Sequence, residues 1–143
     1  MPYSYRDDIS ISDAVFEARE QTLEALMKTA ADAAMNVMID DLDDIRPEIR
    51  RTFELGPEEV DLLLHELLEE LIYYKDAEQL LLRVQKVRIS KDGENYSLKA
   101  EAAGEKIDPD RHKLAADVKA VTLHRFEVKE TEEGWRAFVI LDI

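Results

Sequence analysis

Cysteine is absent from this chain of 143 residues. A protein without thiols forms no disulfide, no zinc–thiolate site and no cysteine nucleophile. Histidine is also scarce, with three residues in the whole chain, so a transition-metal site with several imidazole ligands is not expected. A cation site in this protein would therefore be built from carboxylate and carbonyl oxygens.

Glycine and proline are rare, with four residues of each. The glycines stand alone, so the chain has no glycine-rich phosphate loop. It also has neither a His-Glu-x-x-His zinc motif nor a Gly-x-Ser-x-Gly nucleophile elbow. These absences count against a metal-dependent phosphoryl-transfer enzyme, which is one function that a carboxylate-rich chain could have.

Long hydrophobic runs are missing as well. No stretch approaches the ~18 apolar residues that a membrane-spanning helix needs. Residues 1–6 lack the basic-then-apolar pattern of a signal peptide. We therefore expect a cytoplasmic protein with no membrane partner.

Acidic residues are abundant and give the chain a net charge of −14. This charge opposes direct, general binding to nucleic acids, because their affinity for proteins comes largely from Lys and Arg that release counterions. It favours cations and basic partner surfaces instead. The alternative is that the acidity serves only solubility.

Apolar residues make up 45% of the chain, which predicts a single globular domain over residues 1–143. Thr22 is a suitable cap for a first helix, whose apolar stripe runs from Leu23 to Val37 at helical spacing. A second helix is predicted to start at residues 56–59, with Pro57 in its first turn. Its apolar stripe extends to Ile72.

Alternating and apolar segments between the predicted turns indicate strands. The Asp-Gly dipeptide at 92–93 favours a hairpin. This order of elements predicts an α+β fold, with two helices packed on one face of a mostly antiparallel β-sheet. The predicted strands cover residues 3–8, 14–18, 48–55, 80–90, 96–103, 118–128 and 135–141.

The last strand carries the first candidate site. Alternation places Asp142 on one face with Phe138 and Ile140, and we expect this carboxylate to be partly desolvated. The main-chain carboxylate of Ile143 would lie close by. Two hard anionic oxygen groups held together suggest a cation site. The alternative is a strand that simply stops in an exposed acidic end.

The strand predicted over 118–128 carries two further candidates. Lys119 lies at its apolar-flanked end and is either paired with a carboxylate or extended to water. His124 lies on a mostly apolar face, which favours a hydrogen-bonded structural histidine over a ligand. The acidic loop 40–44 lacks the spacing of an EF-hand and is expected to be solvated.

Several segments match the sequence pattern of a known family. Their order and spacing resemble those of the archeases, small acidic proteins that assist RtcB-type RNA ligases. The matching segments are 22–26 (TLEAL), 38–40 (MID), 67–73 (LLEELIY), 104–105 (GE), 108–109 (DP), 111–112 (RH), 118–124 (VKAVTLH) and 139–143 (VILDI).

The resemblance implies a non-catalytic activator of an RtcB-type tRNA-splicing RNA ligase, which promotes ligase guanylylation and multiple turnover. A chaperone or modulator of RNA-processing or RNA-modifying enzymes is the alternative. In either role the partner is a protein, and no general nucleic-acid binding is expected.

The resemblance also implies a metal-binding tip, here defined as Asp13, Asp40, Asp142 and a terminal oxygen of Ile143. Asp41 is the alternative to Asp40 because the two residues are adjacent. An all-oxygen site favours calcium, with magnesium and manganese as alternatives. Lys119 matches the family lysine that is implicated in activating the ligase.

Overall fold

The computed structural model describes residues 2–6 and 13–143. It contains two helices and antiparallel sheets, which confirms the predicted α+β fold class. The helices are α1 (Leu23–Met38) and α2 (Val60–Glu78), and a short 3-10 helix spans Leu42–Asp44. The strands are β1 (Tyr3–Arg6), β2 (Asp13–Glu20), β3 (Ile49–Glu58), β4 (Leu80–Asp92), β5 (Asn95–Lys106), β6 (Ala120–Val121), β7 (Glu127–Thr131) and β8 (Gly134–Asp142).

The strands are divided between two sheets. A five-stranded sheet has the order β1-β2-β8-β6, and β7 also pairs with β8. A three-stranded sheet has the order β3-β5-β4. Every strand pair is antiparallel. In the larger sheet β8 is central, because β2 pairs along one of its edges and β6 and β7 pair along the other.

Helix α1 lies between the sheets and contacts β2 and β8 of one and β4 of the other. Its start is as predicted, since the Thr22 side chain accepts a hydrogen bond of 3.1 Å from the Ala25 amide. Ala30, Ala33 and Ala34 are fully or almost fully buried. These small side chains let strands approach the helix from several directions.

Helix α2 buries a leucine stripe against the three-stranded sheet and also contacts β6 and β7. Among the described residues, no helix is long and apolar enough to cross a membrane. The prediction that Pro57 lies in the first turn of this helix is wrong, because Pro57 belongs to β3. The register of β3 shifts between Leu55 and Glu58, and proline is tolerated at such a bulge because no ladder N–H is needed there.

The hairpin of β4 and β5 and the last strand, β8, are confirmed, but the single strand predicted over 118–128 is wrong. Only Ala120–Val121 and the residues from Glu127 onward are strands. Between them the Thr122 hydroxyl accepts the His124 amide hydrogen bond at 2.9 Å, and Arg125 has a positive φ of 57°. A side chain that bonds its own backbone in this way competes with the sheet ladder.

Candidate functional site

Asp13 of β2 lies directly opposite Asp142 of β8, at one end of the five-stranded sheet. Directly opposed residues share a face of the sheet, with Cβ atoms about 4.5–5.5 Å apart. On the other edge of β8, Ala120 pairs with Asp142, and the Lys119 amide donates a hydrogen bond of 2.7 Å to the Asp142 carbonyl. The fold therefore brings three of the predicted site residues together: Asp13, Asp142 and Lys119.

The exposure of these residues differs from the sequence prediction. Asp142 and Lys119 are both exposed. The expected partial desolvation of Asp142 is therefore wrong, and Lys119 follows the alternative in which its side chain extends to water. Phe138 and Ile140 do share a face with Asp142, but they pack with Val15 deeper in the sheet. Asp142 lies beyond this small cluster, at the open end of β8.

Asp40 lies at the end of α1 and is engaged elsewhere. Its amide donates to the Lys113 carbonyl at 3.0 Å, and its carboxylate lies 3.2 Å from the Lys113 ammonium. The adjacent Asp41 caps the 3-10 helix by accepting from the Asp43 amide at 3.0 Å. Within residues 2–6 and 13–143, no three carboxylate or imidazole side chains are close enough to hold a metal ion together.

The Asp13–Asp142 carboxylate pair still has the chemistry of a cation site. Like charges on directly opposed residues of a sheet repel each other, and a bound cation would remove that repulsion. Their hard oxygens suit calcium, magnesium or manganese. Because calcium takes about 6–8 oxygens, a pair of side chains leaves coordination positions for water or a partner.

Lys75 of α2 supports the segment that carries Lys119, and sequence reasoning missed it. Its side chain is 7% exposed, and its ammonium lies 2.5 Å from a carboxylate oxygen of Asp117 and 2.7 Å from the Val118 carbonyl. Burial lowers the pKa of Lys75, but hydrogen bonds to Asp117 and Asp76 outweigh burial and raise it. The available signal was spacing, since Lys75 follows Leu71 by four residues on the apolar stripe of α2.

A second polar network is buried around Glu105. The Asp108 amide donates to Nδ1 of His112 at 2.9 Å, so the imidazole proton resides on Nε2 and is donated to Glu105 over 3.0 Å. The Arg46 amide donates to the same carboxylate oxygen at 2.7 Å, and Arg111 forms an ion pair with the other. Although burial raises the pKa of Glu105, these bonds lower it to about 2.

His112, which is 3% exposed, is therefore a structural histidine. The structural role predicted for His124 is wrong, because His124 is exposed in the turn between β6 and β7. The Glu105 network ties the connection after β5 to the acidic loop, where Arg111 donates to the Asp44 carbonyl at 2.8 Å. The segment 113–119 is thus held by this network before it and by Lys75 near its end.

Comparison with known proteins identifies the family. The model of the Archease protein family matches residues 3–143. The archease of Pyrococcus abyssi is 33% identical over 142 residues, which cover 99% of this chain and 96% of that protein. The archease of Methanosarcina mazei is 35% identical over 135 residues, covering 92% and 90%.

Two solved structures share the fold. The solution structure of a Methanobacterium thermoautotrophicum protein has a TM-score of 0.83 at 31% identity and covers 99% of both chains. The crystal structure of a Thermotoga maritima archease, named a possible chaperone, has a TM-score of 0.61 at 16% identity and covers 96% of this chain and 97% of that one. The second likeness concerns the fold alone. With the match over residues 3–143 and the identities above 30%, this chain belongs to the archease family.

Proposed function

We propose that this protein activates an RtcB-type RNA ligase in the cytoplasm, promoting guanylylation of the ligase and its multiple turnover in tRNA splicing. It acts as a non-catalytic cofactor protein. The observation that carries the proposal is the pairing of half-buried Asp13 with exposed Asp142, with the Lys119 amide hydrogen-bonded to the Asp142 carbonyl. Membership of the archease family supports it.

The tip would hold a divalent metal through Asp13, Asp142 and the Ile143 carboxylate. Calcium is the first candidate, and magnesium and manganese are the alternatives. Asp40 would join this set only after its carboxylate leaves Lys113. A metal held by these residues would supply positive charge for neutralising phosphate oxygens in the ligase's nucleotide site.

Lys119 is the residue of this chain that would reach the ligase. Its backbone amide is hydrogen-bonded to the Asp142 carbonyl while its side chain is exposed, so the ammonium extends into solvent from a backbone held next to the end of β8. A compact cation in that position binds phosphate as a point charge. Lys75 is a positioning residue, because it holds Asp117 and Val118 immediately before Lys119.

The test is multiple-turnover RNA ligation by a cognate RtcB-type ligase with GTP and a divalent metal. Catalytic amounts of the wild-type protein should stimulate the reaction strongly, and Asp142→Asn should not. Glu132→Gln is the matched control, because Glu132 is an exposed carboxylate in the turn at the opposite end of β8. Full stimulation by Asp142→Asn would reject the tip, and no stimulation by the wild type would reject the activator function.

The second candidate function is a chaperone or modulator of RNA-modifying enzymes. It is favoured by exposed apolar side chains, of which Tyr73 is 58% and Leu123 is 61% exposed. The Thermotoga protein is named a possible chaperone. A chaperone would suppress aggregation of an unfolding client and bind a hydrophobic dye while folded. Neither effect should depend on Asp142, so Asp142→Asn separates the two candidates.

A further inference from the structure

The three-stranded sheet has one face against α2 and one face open to solvent. Phe53, Leu98 and Ala100 point to the core and are almost completely buried. Their alternating neighbours therefore point outward, and cross-strand pairing aligns them in rows such as Glu54–Lys99–Arg88 and Thr52–Glu101–Lys86. We call this surface the basic face; it consists of Arg50, Thr52, Glu54, Lys86, Arg88, Ser90, Ser97, Lys99 and Glu101.

The basic face carries more cations than carboxylates, although the whole chain has a net charge of −14. Arg88 and Lys99 are direct cross-strand partners, and like charges in that position destabilise a sheet. The Glu54 carboxylate lies 3.5 Å from the Lys99 ammonium and offsets part of this repulsion. Across the described part of the chain, Arg50, Lys86 and Arg88 form no ion pair, so their charges are available to a ligand.

The arrangement of the basic face suits an extended polyanion. Two adjoining cavities of about 630 and 410 Å³ share Glu54, Arg88 and Lys99 in their walls. Cations recur along and across the strands at spacings of roughly 7 and 5 Å. Hydroxyl groups of Thr52, Ser90 and Ser97 lie among them, and Lys, Arg, Ser and Thr are the side chains that contact phosphates.

We propose that the basic face binds the sugar-phosphate backbone of an RNA strand. The RNA bound by the basic face would be the RNA that the ligase joins, so this inference rests on the proposed function. A protein partner fits less well, because the centres of protein interfaces are depleted in charge and need aromatic or aliphatic anchors. The outward side chains here are charged or hydroxylic, and binding is expected to be independent of sequence and sensitive to salt.

The expected lack of general nucleic-acid binding followed from the net charge of the whole chain. The charge is distributed unevenly over the surface, because the basic face has a net positive charge whereas the whole chain is negative. Long-range repulsion from the rest of the protein weakens RNA binding by the isolated chain and makes low ionic strength necessary to observe it. In a complex with the ligase, the RNA would already be held nearby, which raises its effective concentration at the face.

The test is fluorescence anisotropy of a labelled single-stranded RNA oligonucleotide titrated with the isolated protein at several salt concentrations. The variant Arg88→Gln/Lys99→Gln should bind about tenfold or more weakly at low salt, with a salt slope smaller by about 1.4. Lys106→Gln/Lys129→Gln is the control, because it removes the same charge from exposed positions outside the face. The control should bind like the wild type.

The proposal is overturned if the wild type does not bind RNA at low salt or if Arg88→Gln/Lys99→Gln binds as tightly. It is also overturned if this variant loses affinity for the ligase in the absence of RNA, which would make the face a protein-docking surface. Measuring ligase guanylylation in the absence of RNA distinguishes the activator function from RNA binding by the basic face. Guanylylation is proposed to depend on the tip, so Arg88→Gln/Lys99→Gln should stimulate it fully whereas Asp142→Asn should not.

Discussion

The ammonium of Lys75 lies 2.7 Å from the carbonyl oxygen of Val118. This contact joins the C-terminal half of α2 to the residue immediately before Lys119. Lys75 also binds Asp117, whose side chain is 73% exposed, so the lysine connects a buried position on the helix to the surface. The helix thereby fixes the approach of the chain to β6.

Replacing Lys75 with methionine should loosen that approach. Methionine keeps the buried stem but leaves the Val118 carbonyl without its donor, which costs about 1–3 kcal/mol of unfolding free energy. Urea unfolding would measure this loss. Lys106→Met, at an exposed position, should change stability by less than about 0.5 kcal/mol.

The same Lys75→Met variant separates positioning from stability. At a temperature where the variant is fully folded, ligase stimulation should fall because Lys119 is no longer held in place. Full stimulation by folded Lys75→Met would show that Lys75 contributes stability alone and does not position Lys119.

Calcium should stabilise the protein through the carboxylate pair. A ligand at 100 times its Kd adds about 2.7 kcal/mol to the unfolding free energy, which thermal melts with and without calcium would detect as a higher Tm. Asp142→Asn and Asp13→Asn should lose the shift. Asp40→Asn should lose less of it, because Asp40 already holds Lys113.

The metal-free melts provide an internal check on this prediction. Asparagine at position 142 removes the repulsion between the paired carboxylates, so Asp142→Asn should melt slightly higher than the wild type without calcium. Glu132→Gln should respond to calcium like the wild type. An undiminished calcium shift in Asp142→Asn would refute binding at the pair.

Glu105 should make the protein sensitive to acid. Its pKa is about 2 in the folded protein against an ordinary value of 4.5. The stabilisation is therefore complete above about pH 4.5 and is lost as the pH falls towards 2. Glu105→Gln should be less stable than the wild type at pH 7, and the difference should shrink between pH 5 and 3 in urea titrations. A difference that stays constant with pH would contradict this assignment.

Glu58 should make the protein less stable as the pH rises, in contrast to Glu105. Burial, followed by the hydrogen bond and negative charge of Glu66, raises the pKa of Glu58 to about 7 from 4.5. The folded state therefore holds a proton that the unfolded state releases, and this contribution to stability is lost as the pH rises from about 4.5 to 7. Since Glu58 is half-buried, solvent screening reduces the effect.

The matched variant for this acid is Glu58→Gln, which cannot titrate. Its stability relative to the wild type should increase between pH 5 and 7 and remain constant at higher pH. Parallel pH profiles for the two proteins would rule out the proton shared by Glu58 and Glu66.

Local signals in the sequence predicted much of the fold. Thr22 caps α1 as predicted, because its hydroxyl accepts a hydrogen bond from the first turn. The Asp-Gly dipeptide at 92–93 lies at the turn between β4 and β5. The predictions were wrong where the conformation of a residue is set by its partners in the folded protein and not by its neighbours in the sequence. Pro57 looks like a helix start, yet β3 absorbs it at a register shift that no local pattern reveals.

The candidate site was predictable in its residues more than in its geometry. The resemblance supplied Asp13, Asp142 and Lys119, and the pairing of β2 with β8 brings them together. Alternation misplaced Asp142 in burial, because it gives the face of a residue but does not show that Asp142 lies beyond the cluster of Phe138 and Ile140, at the open end of β8. The role of Lys75 was not predicted, because a single lysine in an apolar stripe does not indicate which residue it pairs with.

The central position of β8 links function to folding order. Asp13 and Asp142 come from strands near opposite ends of the described chain, and neither can meet the other until β8 has entered the five-stranded sheet. A molecule in which β8 is detached from the sheet has no carboxylate pair. Under the proposed function, only molecules with β8 in place would present a complete site to the ligase, so incompletely folded or locally unfolded copies would not activate it.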